Sequence, residues 1–573
     1  MKITKNPQTE EIMNNTVCPD IKAVLAKALP SCEKCFSDEK FDSKKEKLSF
    51  RMLKNQRLAF QVAYIKKTPE LDGEIAAELV IDSPLKDYIT LYSIEEVPNY
   101  KPCYDETDDD YLRKTSGLYP DLLMPASPRF HRIFSSRLRA FYVLIEKADG
   151  IAPGTYPVAF EFYKDGDFLG GTEVTVEVVN AMLPKQKLIY TNWFHNDCLA
   201  TYYDCDIYGE RHWQIIENFV REAVSEGMNM ILTPVLTPPL DTGKGWQRPD
   251  VGLVDIYKNG DDYTFEYANL DRWVQMCERC GIEYFEISHL FSQWSAANAP
   301  KVTAYVDGAK DKTEIFGWTT DAVSPEYTAF IRAFIKNLIE HLKTLGVDKK
   351  CFFHISDEPN TAVYDSYCAS KNSVIDLFEG YPVIDALSDF EFYEKGQIAM
   401  PIPAITAAYP FLEQDLPMRW VYYCCAQHDK VSNRFLSMPG RRTEIIGVQL
   451  YKYAIDGFLQ WGYNFYYSAS SWHIVNPFVD VSGDNWVPAG DTFVVYPAPN
   501  GTAYRSLHGM QFAEALQDQR LLELCESLVG RYATMALVNN GVEGEMTFHD
   551  YPRTDEYLMT LKDRVIDTIK ENI

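Results

Sequence analysis

The chain lacks any run of about 18 apolar residues, so no membrane-spanning helix is expected. Its first residues, Met1-Lys2-Ile3-Thr4-Lys5-Asn6-Pro7, have no apolar stretch behind their charges, and no export signal is expected. Positive charge is scarce. Against 82 Asp and Glu stand 56 Lys and Arg, a formal net charge of −26. That balance disfavours nucleic acid as a partner, because such binding rests on Lys and Arg neutralising phosphates. A neutral substrate is the easier expectation. The 13 cysteines have no regular spacing. Cys277 and Cys280 form a lone CxxC with no second pair, and they read as the end of an amphipathic helix before Gly281 rather than as a zinc site. Cys424-Cys425 read as core residues of an apolar strand. Reduced thiols in a cytoplasm are the simplest account, so a cytoplasmic protein is expected.

What is abundant is aromatic. Phe, Trp and Tyr make up 14% of the chain, with 10 Trp and 37 Tyr. Most of these rings must fill cores, but sugar-binding clefts also use them as stacking platforms. A length of 573 residues exceeds one ordinary core and implies two or three domains. Residues 1–45 form an N-terminal extension that is mixed and charged and carries little signal. Residues 46–184 read as a β-sandwich, with strands at short spacing, Gly and Asp turns, and clean period-two alternation over 172–179. The acidic stretch 105–110 reads as a solvated loop. Leu183-Pro184-Lys185 reads as a linker.

From residue 185 to about 500 the pattern becomes strand, helix, strand, helix. The spacing predicts strands near 188–194, 229–235, 283–290, 351–356, 382–386, 402–406, 420–425 and 457–461. The helix at 325–345 is well marked by Ser324 as cap, Pro325 in the first turn and Gly346 as stop. Eight strands with helical connections match a (β/α)8 barrel of α/β class, followed by a helical segment over 501–573.

Active sites of such barrels lie at the C-terminal strand ends. The chain places Asn192 and His195 after the first expected strand, and His289 at the end of the third. Asp357 and Glu358 follow the fourth. Trp420 and Tyr422 lie in the seventh, and Trp461 and Asn464 close the eighth. Trp294 and Trp318 follow the third strand and can fold over a ligand. Rings for apolar sugar faces and fixed donors for hydroxyls are what a sugar cleft requires. The adjacent acids in Ile355-Ser356-Asp357-Glu358-Pro359 are the sharpest signal, since neighbouring like charges raise one another's pKa and a fold rarely needs them for stability. Glycoside chemistry does need an acid that keeps its proton beside a group that supports developing positive charge.

Here the residues reach a family. The segments Gly117–Pro125, Ile287–Phe291 and His354–Pro359, then Trp420–Cys425, Lys452–Trp461 and Asp491–Pro497, resemble in content and order glycoside hydrolase family 123 and the wider group sharing its catalytic domain. The resemblance implies a sandwich before a barrel and hydrolysis of β-linked N-acetylgalactosamine by an exo-acting enzyme. It implies substrate-assisted catalysis, in which the sugar's own 2-acetamido oxygen attacks the anomeric carbon. Carried over, Glu358 is the general acid and then base, expected to hold a proton near neutral pH. Asp357 orients the acetamide and is expected to stay ionised. No metal or other cofactor is implied, and a carbohydrate is the only partner. Two other readings stay open. One is a retaining glycosidase on another sugar, with Glu413 or Glu444 as nucleophile. The other is a carbohydrate-binding protein without turnover.

Overall fold

The computed structural model describes residues 23–67, 74–127, 129–146 and 150–573. The N-terminal residues on which the export-signal expectation rests lie outside them.

The alternating segments of the N-terminal half pair as antiparallel strands in two sheets. One sheet runs, in spatial order, Val24–Pro30, Leu58–Lys66, Arg139–Ile145, Ile89–Asn99, Gly117–Pro125, Ala503–Ser506 and Val495–Pro497. The other runs Ser49–Leu53, Asp167–Val179, Gly154–Lys164, Glu74–Asp82 and His131–Phe134, with only its first pair parallel. Period-two alternation turns Val174, Val176 and Val178 inward, against Phe60, Val62, Phe141 and Val143 of the facing sheet. Phe60 meets Phe160 edge-on at 5.8 Å across this core.

Two segments depart from the expectation. Val24–Pro30 is a full strand of the larger sheet, although 1–45 reads as an extension; its mixed composition hides a strand in which Val24, Ala28 and Leu29 are buried. The hairpin of Val495–Pro497 and Ala503–Ser506 also joins that sheet, through Arg505 opposite Leu123. Buried Asp121 fastens the join by accepting from Tyr496 Oη at 2.5 Å and by meeting His508 Nδ1 at 2.7 Å.

The second half contains eight short parallel strands at the expected places. Six form one sheet in the order Cys351–Phe353, Tyr284–Ile287, Met230–Thr233, Ile189–Asn192, Gly457–Gln460 and Trp420–Tyr422. Ile384–Ala386 and Met400–Ile402 pair with each other. Single parallel bridges, Phe353 to Val383 and Ala404 to Tyr422, join this pair to the two ends of the six. The helices after the fifth and sixth strands shrink to Phe390–Glu394 and Tyr409–Leu412, which is why those connections were hard to read. Pro325–Leu345 is a helix as expected, capped by Ser324 Oγ and ended by Gly346 at φ 70°. One element went unforeseen. The loops after the second and third strands build a four-stranded sheet, in the order Asp262–Glu266, Asp255–Asn259, Val302–Val306 and Lys312–Phe316.

The C-terminal helices Leu507–Val529, Arg531–Asn539 and Asp555–Glu571 share a core with the helix Gly440–Lys452. Gly447 and Ala515 are the close approach between two of these helices. A Cβ at Gly447 would overlap the Ala515 carbonyl. Gly447→Ala is therefore expected to destabilise by about 1–3 kcal/mol through overpacking, read as a lower thermal midpoint in calorimetry. Among the described residues no helix is long and apolar enough to cross a membrane. All twelve of their cysteines are free thiols.

Candidate active site

The fourth parallel strand delivers two acids to one cavity. After Cys351–Phe353 the chain stays buried through Ser356, held on both sides. Asp385 Oδ1 accepts from the Ile355 and Ser356 amides at 3.0 and 3.3 Å. Ser356 Oγ donates to the Ser292 carbonyl at 2.7 Å. Glu358 then takes a left-handed backbone, φ 46°, before Pro359. Trp294 is left-handed too, φ 66°, and its amide donates to the Asp357 carbonyl at 2.8 Å. Such conformations cost about 1–2 kcal/mol each outside glycine, so the contacts around them must hold them.

The cavity has about 630 Å3 of open space. Its acids are Asp241, Asp357 and Glu358, and its rings are Trp193, Trp294, Tyr422, Trp461 and Trp486. Cys424, Cys425 and Gln293 also face it. Tyr422 Oη donates to Glu358 Oε1 at 2.5 Å. Gln293 Nε2 donates to Asp357 Oδ2 at 2.8 Å, and Gln293 Oε1 accepts from the Asp241 amide at 2.8 Å. Two rings are pinned by acids: Trp193 Nε1 donates to Glu286 at 2.8 Å and Trp461 Nε1 to Asp491 at 2.9 Å.

Burial, then the neighbouring charges of Glu358 and Asp241, push Asp357 well above the usual carboxylate range. The expectation of an ionised Asp357 is not met by these surroundings: burial and the two neighbouring carboxylates favour its neutral form, and the single bond from Gln293 opposes them. Asp241 is raised to about 7 by burial, with Glu358 and Asp491 adding to the rise against Arg248. Burial raises Asp491 to about 6. Asp241 thus binds more protons folded than unfolded, and stability falls as pH climbs from 3.8 to about 7. Asp241→Asn is expected to raise the thermal midpoint above about pH 7 and leave it unmoved near 3.8, checked by melts across that range.

Behind Asp357 lies a buried polar network. His354 sits between Glu286 at 2.7 Å and Asp385 at 3.3 Å. Burial opposes its charge, but those two carboxylates outweigh burial and raise it to about 9. His354 is therefore a cation at neutral pH, and its charge partly offsets the repulsion at Asp357.

Several expected site residues stand elsewhere. His289 stacks on His354 at 4.2 Å, and burial with that neighbouring charge holds it well below the usual imidazole range. His195 bonds the Trp461 carbonyl through Nε2 at 2.9 Å and Arg248 through Nδ1 at 3.0 Å; burial and Arg248 push it down to about 3. Asn464 ties the His195 backbone at both its amide and its carbonyl. Asn192 and Trp420 are wholly buried away from the cavity wall. Trp318 Nε1 donates to the Trp246 carbonyl at 3.0 Å, outside the cavity. Asp357, Glu358, Trp294, Tyr422 and Trp461 do meet on its wall. Trp193, Asp241, Gln293 and Trp486 were missed, and Cys424-Cys425 line the cavity rather than the core. A ring directly after the strand Ile189–Asn192 was the available signal for Trp193; Asp241 and Gln293 stand farther out on loops and had none.

A second cavity, where the sandwich meets the C-terminal helices, also holds acids. There Lys562 pairs with Glu444 at 3.2 Å and Asp518 at 2.9 Å, so Glu444 is committed to an ion pair. Glu413 is exposed and lies on no wall of the first cavity.

Paired acids at one strand end, walled by pinned tryptophans, define a carbohydrate-processing hydrolase. A family model described as "Glycoside hydrolase 123, catalytic domain" matches residues 193–525, more than half of the chain. The chain belongs to glycoside hydrolase family 123 and is a glycosidase. No curated protein matches the sequence. Among solved structures, a family 123 glycoside hydrolase from Clostridium perfringens, described in connection with glycolipid glycan hydrolysis, has a similar fold. It is 15% identical, at a TM-score of 0.71 over 96% of this chain and 98% of that one. A Bacteroides ovatus GH5 xyloglucanase matches at 9% identity and a TM-score of 0.29, over 82% of this chain and 98% of that one.

Proposed function

We propose that this glycosidase is an exo-acting β-N-acetylhexosaminidase, with β-N-acetylgalactosaminides favoured, and that the substrate's 2-acetamido group is its nucleophile. The observation that carries the reading is that Asp357 and Glu358 reach one cavity from consecutive positions, each held by its own donor. A retaining pair of acid and enzyme nucleophile stands about 5 Å apart across the sugar ring and usually comes from different strands. Consecutive acids suit a different division of labour.

With the sugar bound, its acetamide N–H donates to Asp357 and its carbonyl oxygen attacks C1. The C1–O bond to the leaving group breaks, and Glu358 gives that oxygen its proton. Glu358 Oε1 is held by Tyr422, so Oε2 is the oxygen available for transfer. The proton that burial favours on Asp357 passes to Glu358 as the acetamide N–H takes its place, so Glu358 enters the reaction protonated and Asp357 ionised, the form that the positive oxazolinium ring favours. Water, losing a proton to Glu358, opens the ring from the face the leaving group left, so configuration is retained. The Trp461 and Trp193 rings offer apolar surface to the sugar.

On this reading 46–184, with the strand Val24–Pro30 and the hairpin of 495–506, is the sandwich domain, 185–494 a (β/α)8 catalytic barrel and 507–573 a helical segment, in a cytoplasmic protein. The glycolipid glycan of the Clostridium relative is a reasonable first substrate class. Hydrolysis of aryl β-N-acetylhexosaminides but not plain hexosides, blocked by a thiazoline inhibitor, is the expected result. Equal turnover of both sugars overturns it.

One observation favours a second reading. Asp241 reaches the cavity from a different strand and is a candidate enzyme nucleophile. With a pKa near 7 it is only partly ionised at neutral pH, which weakens it in that role. Azide rescue of Asp241→Gly giving an α-glycosyl azide would establish the two-carboxylate mechanism.

A further inference from the structure

The second cavity, between the sandwich and the C-terminal helices, has about 760 Å3 of open space and shares no wall residue with the first. Three helices bring charge to its wall: Glu444 from Gly440–Lys452, Glu514 and Asp518 from Leu507–Val529, and Lys562 from Asp555–Glu571. The three acids are each less than a tenth exposed, with Glu444 at 2%. Three buried carboxyls thus face one ammonium, although buried charges are normally paired.

The hydrogen bonds show where the shortfall lies. Lys562 reaches Glu444 Oε2 at 3.2 Å and Asp518 at 2.9 Å. Glu514 accepts from Ser31 Oγ at 2.6 Å and from Tyr142 Oη at 2.9 Å. Glu444 Oε1 is buried and has no hydrogen-bond partner among the described residues. A buried acceptor without a donor is costly and marks a place where a donor is wanted. The other cations of the wall are engaged elsewhere. Arg51 pairs with Glu177 at 2.8 Å and Asp567 at 2.7 Å. Arg57 donates to the Ser225 carbonyl at 2.9 Å, and Lys47 lies over the Phe50 ring at 5.5 Å. Leu58, Ala59, Leu521, Leu558 and Ile566 add apolar wall. Among the described residues no three His, Cys, Asp or Glu side chains are grouped to hold a metal ion. The complement of these walls is therefore an organic cation, with N–H donors at one end and hydrocarbon at the other.

We propose that this cavity binds a primary aliphatic amine, whose ammonium group donates to Glu444 Oε1 while its alkyl chain lies along Leu521, Leu558 and Ile566. The inference is independent of the sugar chemistry proposed above. Burial raises Glu444 to about 8, with Glu514 and Asp518 adding to the rise against Lys562. Cys32 and Tyr142 of the sandwich also face its charge, and burial keeps both protonated. Asp555, at the start of the last helix, is paired with Arg441 at 3.7 Å. The incoming ammonium thus displaces a proton from Glu444.

The test is calorimetric titration of the full chain with n-butylamine at constant ionic strength. Binding is expected to be about tenfold tighter at pH 9 than at pH 7, the change in ionised fraction of a group near 8. At pH 7 about one proton leaves per amine bound, read from titrations in two buffers of different ionisation heat. Glu444→Gln is expected to lose the pH dependence and to bind about tenfold or more weakly at pH 9, the scale of a hydrogen bond to a charged group. Asp518→Asn leaves Glu444 in place but removes a neighbouring charge, so its binding tightens at a lower pH than the wild type's; this holds the proposal to account if Glu444→Gln does not fold. Tetramethylammonium, which has no N–H, is expected not to compete. No binding at pH 9, an affinity independent of pH, a Glu444→Gln that binds like the wild type, an unshifted Asp518→Asn profile, or equal competition by tetramethylammonium overturns the amine site.

Discussion

Glu358→Gln is expected to lower kcat by about 10²–10⁴-fold on substrates with poor leaving groups, the usual contribution of a positioned general acid. On an activated aryl glycoside or a glycosyl fluoride the loss should be far smaller, because those leaving groups depart without a proton. The variant is a clean one structurally: glutamine keeps an oxygen to accept from Tyr422 Oη, so the contact seen at Glu358 Oε1 persists. The same residue serves as base when water opens the oxazoline, so the intermediate becomes the slow species for activated substrates. Azide, which needs no base, should then restore turnover and yield the β-glycosyl azide, the product of attack on the face the leaving group vacated. Measuring kcat across a series of phenols of rising acidity checks this directly. An equal loss for every leaving group, or an α-azide, would remove Glu358 from the role of proton donor.

The acid pair was legible because three local signals agree at it. An apolar run says strand, two carboxylates say chemistry, and proline says stop. The helix Pro325–Leu345 was legible for the same reason, since cap, period and glycine stop all agree. Where only one signal was present, the reading went astray. His289, His195 and Asn464 were polar groups at strand ends and were read as facing the ligand. In the fold, His289 lies against His354, and the other two tie the first strand's exit to the eighth. A strand end is a place where side chains alternate direction, and which one faces the cavity depends on a register that composition does not carry.

The residues missed share another property. Gln293 and Asp241 reach the cavity through contacts between loops far apart in the chain. Ser471 reaches Asp241 across 230 positions, and Gln293 reaches Asp357 across 64. Such loops follow no period, and the left-handed residues nearest the acids, Asp241, Trp294, Ser470 and Ser471, are not glycines, so their backbone geometry leaves no mark in the letters. The strand Val24–Pro30 escaped for a milder reason. Only Val24, Ala28 and Leu29 of its seven residues are buried, and Lys27 interrupts the apolar pattern while donating to the Lys44 carbonyl at 2.8 Å.

Asp357→Asn is expected to abolish most activity while making the protein more stable. The loss follows from the proposed chemistry. Asparagine can orient an acetamide but cannot steady a positive charge on it, and removing one such preorganised interaction typically costs about 10²–10³ in kcat. The gain follows from the electrostatics around the carboxyl. Asp357 is raised above its unfolded value of 3.8 by burial, and further by Glu358 and Asp241. The folded state therefore binds more protons at this position than the unfolded state. Below pH 3.8 that costs nothing; as pH rises above 3.8 toward the folded pKa, stability is progressively lost. Asparagine removes the titration and with it the loss, yet keeps an oxygen to accept from Gln293 Nε2. The thermal midpoint of the variant should match the wild type near 3.8 and exceed it by about 2 °C or more at about pH 8. A variant equally stable at every pH would mean that the pair carries no repulsion in the folded protein. One that kept full turnover would mean that nothing in the reaction leans on this carboxylate, and the division of labour between Asp357 and Glu358 would have to be given up.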